Sequence, residues 1–212
     1  ALGFECINFT LLKFKTMKKN CLTVFLFCFL TLFSVQAQEK QELEAAIFKT
    51  ITALNNKDEK ALNAMILDDF GIAILFRVGV VDNLLIEKKI SMENPIPRYL
   101  PYIYFGKIDL NQKVKHETLP FFDCNEGKFD KAGGIYCDVA TNYNSISNVA
   151  LGENEYLFKG WTEEQINEMK AIEKISWKIV AMGDKGTQIF FLTYYQNTWY
   201  LTMLDRFEVC SA

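Results

Sequence analysis

The sequence predicts an α+β fold in which an N-terminal helical hairpin packs on a curved antiparallel β-sheet. Three observations predict this fold. Apolar residues recur at helical spacing just after residue 37, a run rich in β-branched and aromatic residues follows, and three strand-like runs with short turns close the chain. Residues 38–212 suffice for one domain of ordinary size, and no repeat or linker divides them.

Residues 17–37, "MKKNCLTVFLFCFLTLFSVQA", have the pattern of a secretory signal peptide. Two lysines precede an apolar run that is shorter than the roughly 20 residues needed to cross a bilayer, and Val35 and Ala37 occupy the small-residue positions of a cleavage site. An uncleaved anchor is the alternative. Residues 1–16 are interpreted as an upstream leader outside the folded protein. We therefore expect cleavage after Ala37 and a periplasmic or secreted protein without a stable membrane span.

The charge of the predicted mature chain argues against a nucleic-acid partner. Removal of residues 1–37 takes four lysines and one glutamate from the 23 basic and 26 acidic residues of the whole chain. The remainder carries a net charge of about −6, whereas binding to a phosphate backbone depends on clustered lysine and arginine. We therefore expect no nucleic-acid partner.

The first elements after residue 37 are predicted to be two helices. In "EKQELEAAIFKTITALNN" the apolar residues lie on one helical stripe: Leu43, Ile47, Ile51 and Leu54. A second helix, "DEKALNAMI", follows at once, and the spacing of Asn56 and Glu59 predicts a capping box at its start. Together they form the predicted helical hairpin.

The middle of the chain is predicted to contain strands on either side of an irregular connection. The runs "GIAILFRVGVV" and "GGIYCDVA" are typical of strands. Between them, "SMENPIPRYLPYIYF" through "HETLP" contains all four prolines of the chain. Because proline cannot donate to a β-ladder, we predict an irregular connection, an edge, or a lid over a cavity there.

The last third is predicted to be a helix followed by an antiparallel meander. Thr162 and Gln165 have the spacing of a capping box, which places a helix start at Thr162. The strands "SWKIVAMG", "TQIFFLTYYQ" and "TWYLTMLDRFEV" follow, separated by "DKG" and "QN". Turns this short favour antiparallel neighbours.

The opening "AIFKTITALNNKDEKALNAMI" and the closing strand "WYLTMLDRF" resemble the nuclear transport factor 2-like superfamily, also called SnoaL-like. The resemblance implies a cone-like α+β fold with a pocket. It does not imply one reaction, since members include small-molecule isomerases, dehydratases and hydrolases as well as non-catalytic binding modules. The tail behind a signal peptide is also similar to a group of uncharacterised exported bacterial proteins.

Candidate site residues follow from charges on apolar strands. With a period of two, the last strand places five residues on one face, so Asp205 is a carboxylate on an apolar row: Trp199, Leu201, Met203, Asp205 and Phe207. Arg77 interrupts an apolar strand in the same way, and an Asp205–Arg77 pair would satisfy both charges. Such a pair either stabilises the sheet or lines a pocket. The candidate ligand-binding residues are Arg77, Tyr194, Trp199 and Asp205, and Asp205 is the candidate catalytic acid or base; the aromatic residues equally suit a core.

The cysteines left after cleavage are Cys124, Cys137 and Cys210. In an oxidising compartment, Cys124 and Cys137 could form a disulfide that leaves Cys210 free, and three free thiols are the alternative. His116 is the chain's single histidine, and a dyad with Cys137 would need contact and a third orienting group. The sequence contains no metal-binding, redox or phosphate-loop motif, so we expect no metal and no cofactor.

These observations favour an exported, non-enzymatic ligand-binding or envelope-associated module. Its partner would be a small molecule or an envelope protein, and a homodimer is compatible with the sequence. Two alternatives stay open. One is a small pocket enzyme of the isomerase, dehydratase or hydrolase type that uses Asp205, and the other is a secreted protein-interaction module whose contact surface is the proline-rich connection.

Overall fold

The computed structural model describes residues 38–102, 106–143, 146–184 and 186–207. The predicted leader and signal peptide (1–37) and Cys210 lie outside them. Contacts divide the chain into two units, residues 1–42 and 43–212, and the sheet and its packing belong to the second. Among the described helices, none combines the length and hydropathy that a membrane span requires.

The chain folds as the predicted α+β class, with four described α-helices and nine strands. The helices are α1 (38–56), α2 (Glu59–Asn63), α3 (Ile146–Tyr156) and α4 (Glu163–Lys174). The strands are β1 (Ile72–Val78), β2 (Val81–Glu87), β3 (Val114–His116), β4 (Phe122–Asp123), β5 (Lys128–Phe129), β6 (Gly134–Val139), β7 (Ser176–Gly183), β8 (Gly186–Tyr195) and β9 (Thr198–Asp205).

Seven strands form one curved, open sheet in the order β2-β1-β9-β8-β7-β6-β3, and β4 and β5 form a separate hairpin. The predicted meander of β7, β8 and β9 is confirmed. The prediction of a purely antiparallel sheet is wrong, because β1 runs parallel to β9 and β3 parallel to β6. Parallel neighbours need long connections, and here most of the chain separates β1 from β9.

One face of the sheet is covered by α1, and we call it the α1 face. The predicted apolar stripe of α1 is confirmed, since its residues are at most 3% exposed: Leu43, Ile47, Ile51 and Leu54. They pack in one cluster with Phe190 and Leu201 of the central strands. Burial of such side chains contributes about 1.5–3 kcal/mol each.

The opposite face is covered by α3 and α4, and we call it the α3 face. Ile146, Val149 and Met169 from the two helices pack there against strand residues such as Leu75 and Met203. The sheet is therefore covered by helices on both faces. The sequence reading did not predict α3, whose mix of glycine, asparagine and glutamate gives a weak helical pattern.

A β-bulge changes the direction of the side chains along β9. Phe191 pairs with Met203 while the next residue, Leu192, pairs with Leu201, so Thr202 is an extra residue on β9. Trp199 and Leu201 consequently lie on the α1 face, and Met203 lies on the α3 face. The prediction that one face carries the whole row from Trp199 to Phe207 is therefore wrong, because a bulge interrupts the period of two.

Helix starts follow the predicted chemistry at α4 but not at α2. Thr162 and Gln165 form a reciprocal capping box, as predicted. At α2 the side chain that caps the helix is Asp58, which accepts from the backbone N–H of Ala61. The predicted Asn56–Glu59 capping box is therefore wrong, and the Glu59 carboxylate instead accepts from the backbone N–H of Met92.

In the proline-rich connection, residues 91–101 and 106–113 form no helix or strand, as predicted, while 114–116 form the edge strand β3. Arg206 fixes the first part of this connection to the sheet. The buried Arg206 guanidinium donates to the carbonyl oxygens of Ile96 and Leu100 and lies 4.2 Å from the ring centre of Tyr102. Burial lowers the pKa of Arg206 and raises that of Tyr102, while the charge of Arg206 opposes the change at Tyr102. These contacts attach residues 96–102 to the end of β9.

Candidate functional site

A cavity with a volume of about 290 Å³ lies between the tip of the β1–β2 hairpin and one side of α3. The described residues that line it come from these two elements: Arg77, Val80, Val81, Asp82, Asn148, Val149, Gly152 and Tyr156. The walls combine three valines and a tyrosine ring with one cation, one anion and one amide. Cavities that hold small molecules usually have this composition, with few polar groups among apolar ones.

The hairpin presents Arg77 and Asp82 side by side. A two-residue turn, Gly79 and Val80, joins Val78 to Val81, and Gly79 has a φ of 62°, which favours glycine. The register therefore pairs Arg77 directly with Asp82 across the strands. Arg77 Nε donates to Asp82 Oδ1 at 2.6 Å, and the two side chains are 31% and 33% exposed.

Two further contacts position Arg77. Its guanidinium carbon lies 5.2 Å from the ring centre of Phe207, and the Tyr99 hydroxyl donates to its backbone carbonyl. An aromatic ring under a guanidinium attracts it by about 0.5–2 kcal/mol. The charged wall of the cavity is consequently held by groups from three parts of the chain.

Two buried glutamates fix the opposite wall. Within α3, the Glu153 carboxylate accepts from the backbone N–H of Leu84 at 3.0 Å and from Trp161 Nε1 at 2.6 Å. In α4, the Glu173 carboxylate accepts from the backbone N–H and hydroxyl of Ser147 in the first turn of α3. A carboxylate at a helix start is favourable, because the first backbone N–H groups lack partners within the helix.

Gly152 leaves open space at this wall because it has no side chain. A Cβ atom built on Gly152 would meet no atom within 4 Å, so the space in front of it is open. Because Gly152 lines the cavity, a larger side chain there begins at a Cβ that displaces no neighbouring atom.

Exposed apolar side chains occur in the β1–β2 hairpin and in and just after α3, and we call four of them the apolar rim: Val78, Val80, Tyr156 and Phe158. Val80 and Tyr156 also line the cavity. Val80 is 83% and Phe158 88% exposed. Phe158 also has a φ of 53°, a left-handed conformation that costs a bulky residue roughly 1–2 kcal/mol. Groups of exposed apolar side chains often mark protein interaction sites, so the rim is the candidate contact surface.

Asp205 does not lie at the cavity and does not pair with Arg77. Its Oδ2 accepts from Lys178 Nζ at 2.9 Å, and its Oδ1 accepts from the backbone N–H of Phe207. Asp205 is buried at 6% exposure, and Lys178 is half-buried at 14%. The predicted Asp205–Arg77 pair is therefore wrong, because each residue has a nearer opposite charge.

Next to this ion pair, Tyr143 donates to Asp138 Oδ2 at 2.8 Å and accepts from the backbone N–H of Leu119. Burial alone would raise the pKa of the Asp138 carboxyl, but hydrogen bonds from Asn142, Tyr143 and a backbone N–H outweigh it and hold that pKa below its ordinary value. Burial and the bond to Asp138 raise the pKa of the Tyr143 hydroxyl. These hydrogen bonds therefore stabilise the sheet and its flanking loop.

Tyr194 and Trp199 contact each other, with ring centres 4.9 Å apart. Both belong to the cluster of the α1 face, whereas Val149 of the cavity belongs to the cluster of the α3 face. Trp199 is 9% exposed, and no described residue accepts a hydrogen bond from its indole N–H. Of the four predicted ligand-binding residues, the cavity is therefore lined by Arg77 alone.

His116 and Cys137 are paired in register across β3 and β6. His116 Nε2 hydrogen-bonds to Glu44 Oε1 at 2.9 Å, and its ring meets that of Trp177 edge-on. Cys137 is fully buried, and burial, followed by the charges of Asp138 and Glu44, raises its pKa to about 12. A thiol that stays neutral is a poor nucleophile, so the geometry does not support a Cys–His dyad.

The predicted disulfide between Cys124 and Cys137 is wrong. Cys137 is a free thiol on a buried strand, where it packs in the core of the α1 face. Cys124 is disulfide-bonded, and since Cys137 is free, its partner lies outside the described residues. In the described part of the chain, no cluster of His, Cys, Asp and Glu has the arrangement of a metal site.

The sequence signals for this cavity were partial. The sequence indicates Arg77 as a charge inside an apolar strand. Its partner Asp82 follows a hairpin turn at Gly79 and Val80, and the sequence pattern predicts one continuous strand there instead of a turn. The pattern also does not predict α3. Comparison with protein-family models, with functionally characterised proteins and with solved structures gave no match.

Proposed function

We propose that this chain is an exported, non-enzymatic module that binds a small molecule, as an independent protein or as part of the cell envelope. The cavity between the β1–β2 hairpin and α3 carries the proposal. Its volume of about 290 Å³ lies just below the range of roughly 300–1,000 Å³ that is typical of ligand pockets. A ligand the size of a metabolite fits such a space.

The groups at the cavity favour binding over catalysis. Among the described residues that line it, the charged ones are Arg77 and Asp82, which form an ion pair with each other. Nucleophilic or acid–base catalysis needs a nucleophile or base in contact with a group that activates it. Asp205, the candidate for that role, is buried in an ion pair with Lys178 on another part of the sheet.

We also propose that the fold is cone-like and related to the nuclear transport factor 2-like superfamily. The support is the packing of α1 against one face of an open sheet and the return of β9 to a place beside β1. Members of that superfamily include many non-catalytic binding modules, which agrees with the role proposed for the cavity.

A cavity-filling substitution tests the binding role. Gly152→Leu should fill the cavity and leave the fold intact, because no atom lies within 4 Å of the new Cβ. Replacing glycine within a helix should also add about 0.5–1 kcal/mol to the free energy of unfolding. Ala171→Leu, at an exposed position of α4, adds a side chain of the same kind away from the cavity and serves as the control.

The measurement is a thermal-shift screen with fragments of metabolite size. Fragments that raise the melting temperature of the wild type and of Ala171→Leu should lose this effect with Gly152→Leu. If every stabilising fragment acts equally on Gly152→Leu, or if no fragment stabilises the wild type, the cavity is not the binding site.

The apolar rim favours a second role, as a protein-interaction module that includes self-association. Phe158 combines 88% exposure with a strained backbone, and natural chains retain such costs mainly at functional positions. Phe158→Gly should relieve the strain and raise the free energy of unfolding by about 1 kcal/mol. If the rim forms a homodimer, sedimentation velocity should show a concentration-dependent dimer in the wild type and a monomer in the variant.

A further inference from the structure

From the chemistry of the cavity walls we infer that its ligand is a small zwitterion, namely an α-amino acid with an apolar side chain. This inference rests on the proposed binding function and names the ligand class for the same cavity. In the inferred complex the ligand carboxylate faces Arg77, the ligand ammonium faces Asp82, and the ligand side chain contacts the valines and Tyr156.

The charges on the wall select for a ligand that carries both signs. Arg77 and Asp82 are neighbours, with 2.6 Å between Nε and Oδ1. A ligand with a single negative charge gains from Arg77 but is repelled by Asp82, and a ligand with a single positive charge meets the reverse. A zwitterion whose two charges lie a few ångströms apart gains from both residues.

The ion pair is positioned before a ligand arrives. The hairpin register sets Arg77 opposite Asp82, and the Phe207 ring and the Tyr99 hydroxyl hold Arg77. Rigid binding groups lose little conformational entropy when a ligand binds, which increases affinity. Because each charged side chain is about one third exposed, a ligand can reach both without unfolding the hairpin.

The remaining walls determine the rest of the ligand. Val80, Val81 and Val149 offer apolar surface, Tyr156 adds an exposed ring, and the Asn148 amide supplies a donor and an acceptor at the edge. The volume of about 290 Å³ accommodates one amino acid of ordinary size and excludes a nucleotide or a long peptide.

Calorimetric titration of the intact mature chain at pH 7 tests the inference with four probes that share one side chain. The probes are L-leucine, leucinamide without the carboxylate, 4-methylpentanoate without the ammonium, and the uncharged alcohol 3-methyl-1-butanol. We expect L-leucine to bind at least about tenfold more tightly than any of the other three. We also expect Gly152→Leu to abolish its binding and Ala171→Leu to preserve it.

Asp82→Asn is the decisive variant, because it keeps the shape of the side chain and removes its charge. The variant should bind L-leucine and 4-methylpentanoate with affinities within about threefold of each other, since the ammonium has lost its partner. A melting curve checks that the variant is folded; if it is not, the comparison of probes on the wild type still decides.

The outcomes separate the inference from the function on which it rests. If 3-methyl-1-butanol or one of the singly charged probes binds as tightly as L-leucine, and Gly152→Leu blocks it, the cavity binds ligands but the zwitterion inference is overturned. If no probe binds at millimolar concentration while unrelated fragments still require Gly152, the inference fails alone. If nothing binds in a Gly152-dependent way, both fail.

Discussion

Asp205 and Lys178 show how a charged residue can serve stability on an apolar sheet. Removing both charges from water costs several kcal/mol, and their attraction offsets this cost only when the geometry is close. At 2.9 Å with a further backbone hydrogen bond to Asp205, the geometry is close. Lys178 also lies 5.1 Å from the ring centre of Phe191, so apolar atoms surround the ion pair.

Removal of Asp205 should therefore be strongly destabilising. Asp205→Ala leaves the half-buried Lys178 ammonium without its carboxylate, and we expect a loss of about 3 kcal/mol in the free energy of unfolding, the lower end of the range for buried ion pairs. The double variant Asp205→Ala with Lys178→Met should recover much of this loss, because no unpaired charge is then left behind. Urea unfolding of the single and double variants measures the coupling between the two sites.

Arg77 provides the control for this cycle, because it is paired with Asp82 rather than with Asp205. Arg77→Gln and Asp205→Ala should add within about 0.5 kcal/mol, as independent sites do. A coupling of Asp205 to Arg77 as large as that to Lys178 would contradict the ion pairs described above.

The thiol of Cys137 should make stability depend on pH in the alkaline range. Its ordinary pKa of 9.0 rises to about 12 in the folded chain, so the unfolded state loses its proton first as pH rises. The contribution of Cys137 to stability is then complete below pH 9 and is lost between about pH 9 and 12.

The comparison of wild type with Cys137→Ala isolates this effect from other alkaline titrations. The substitution costs a constant amount for the cavity that it leaves, whereas the thiol effect falls by about 1.4 kcal/mol per pH unit above pH 9. We expect the stability difference between the two proteins to shrink between pH 8 and pH 10.5 in urea melts. A difference that stays constant would show that the thiol is accessible.

At the scale of elements, sequence patterns predicted those structures that depend on neighbouring residues. The stripe of α1, the capping box of α4 and the three closing strands were predicted correctly because their signals lie within one turn or one strand. Thr202 could not be identified as a bulge, since the extra residue is defined by pairing with β8. One inserted residue then moved Trp199 to the face opposite Met203.

The start of α2 gives a test of capping at this scale. Asp58 caps the helix through the backbone N–H of Ala61 at 2.9 Å, so Asp58→Ala should cost about 1 kcal/mol in the free energy of unfolding. Asn56 is exposed and precedes the cap. Asn56→Ala is the matched control and should change stability by less than about 0.5 kcal/mol. Equal losses for the two variants in denaturant melts would show that Asp58 is not the specific cap of α2.

At the scale of the molecule, the order of the strands was beyond reach because it depends on contacts between distant parts of the chain. The register of β1 against β9 joins Leu75 to Asp205, and nothing near either residue indicates the other. The candidate cavity is equally non-local, since Arg77 and Gly152 meet only because α3 packs along β2. Residue chemistry indicated Arg77 as unusual, but only the fold supplies its neighbours.

Export remains a prediction from residues 17–37, which lie outside the described part of the chain. Expressed from Met17 in a Gram-negative host, the protein should appear in the periplasm or medium and begin at Gln38, because the apolar run is too short to anchor it comfortably. N-terminal sequencing of the fractionated protein is the measurement. Retention of Lys18 and Lys19 in a membrane fraction would establish an anchor instead.

The predicted cleavage, if it occurs, also limits the disulfide partners of Cys124. Cys124 is disulfide-bonded and Cys137 is free and buried, and the one other cysteine after residue 37 is Cys210. We therefore expect Cys124 to be linked to Cys210, a bond that closes a loop of more than 80 residues and should add about 4 kcal/mol to stability by restricting the unfolded chain.

Peptide mapping without reductant should recover the 124–210 pair, while Cys137 reacts with iodoacetamide only after denaturant is added. Recovery of a 124–137 pair, or alkylation of Cys124 in the native protein, would refute this connectivity. A Cys210→Ser variant with an unchanged melting temperature would also refute it, because the disulfide should contribute to stability.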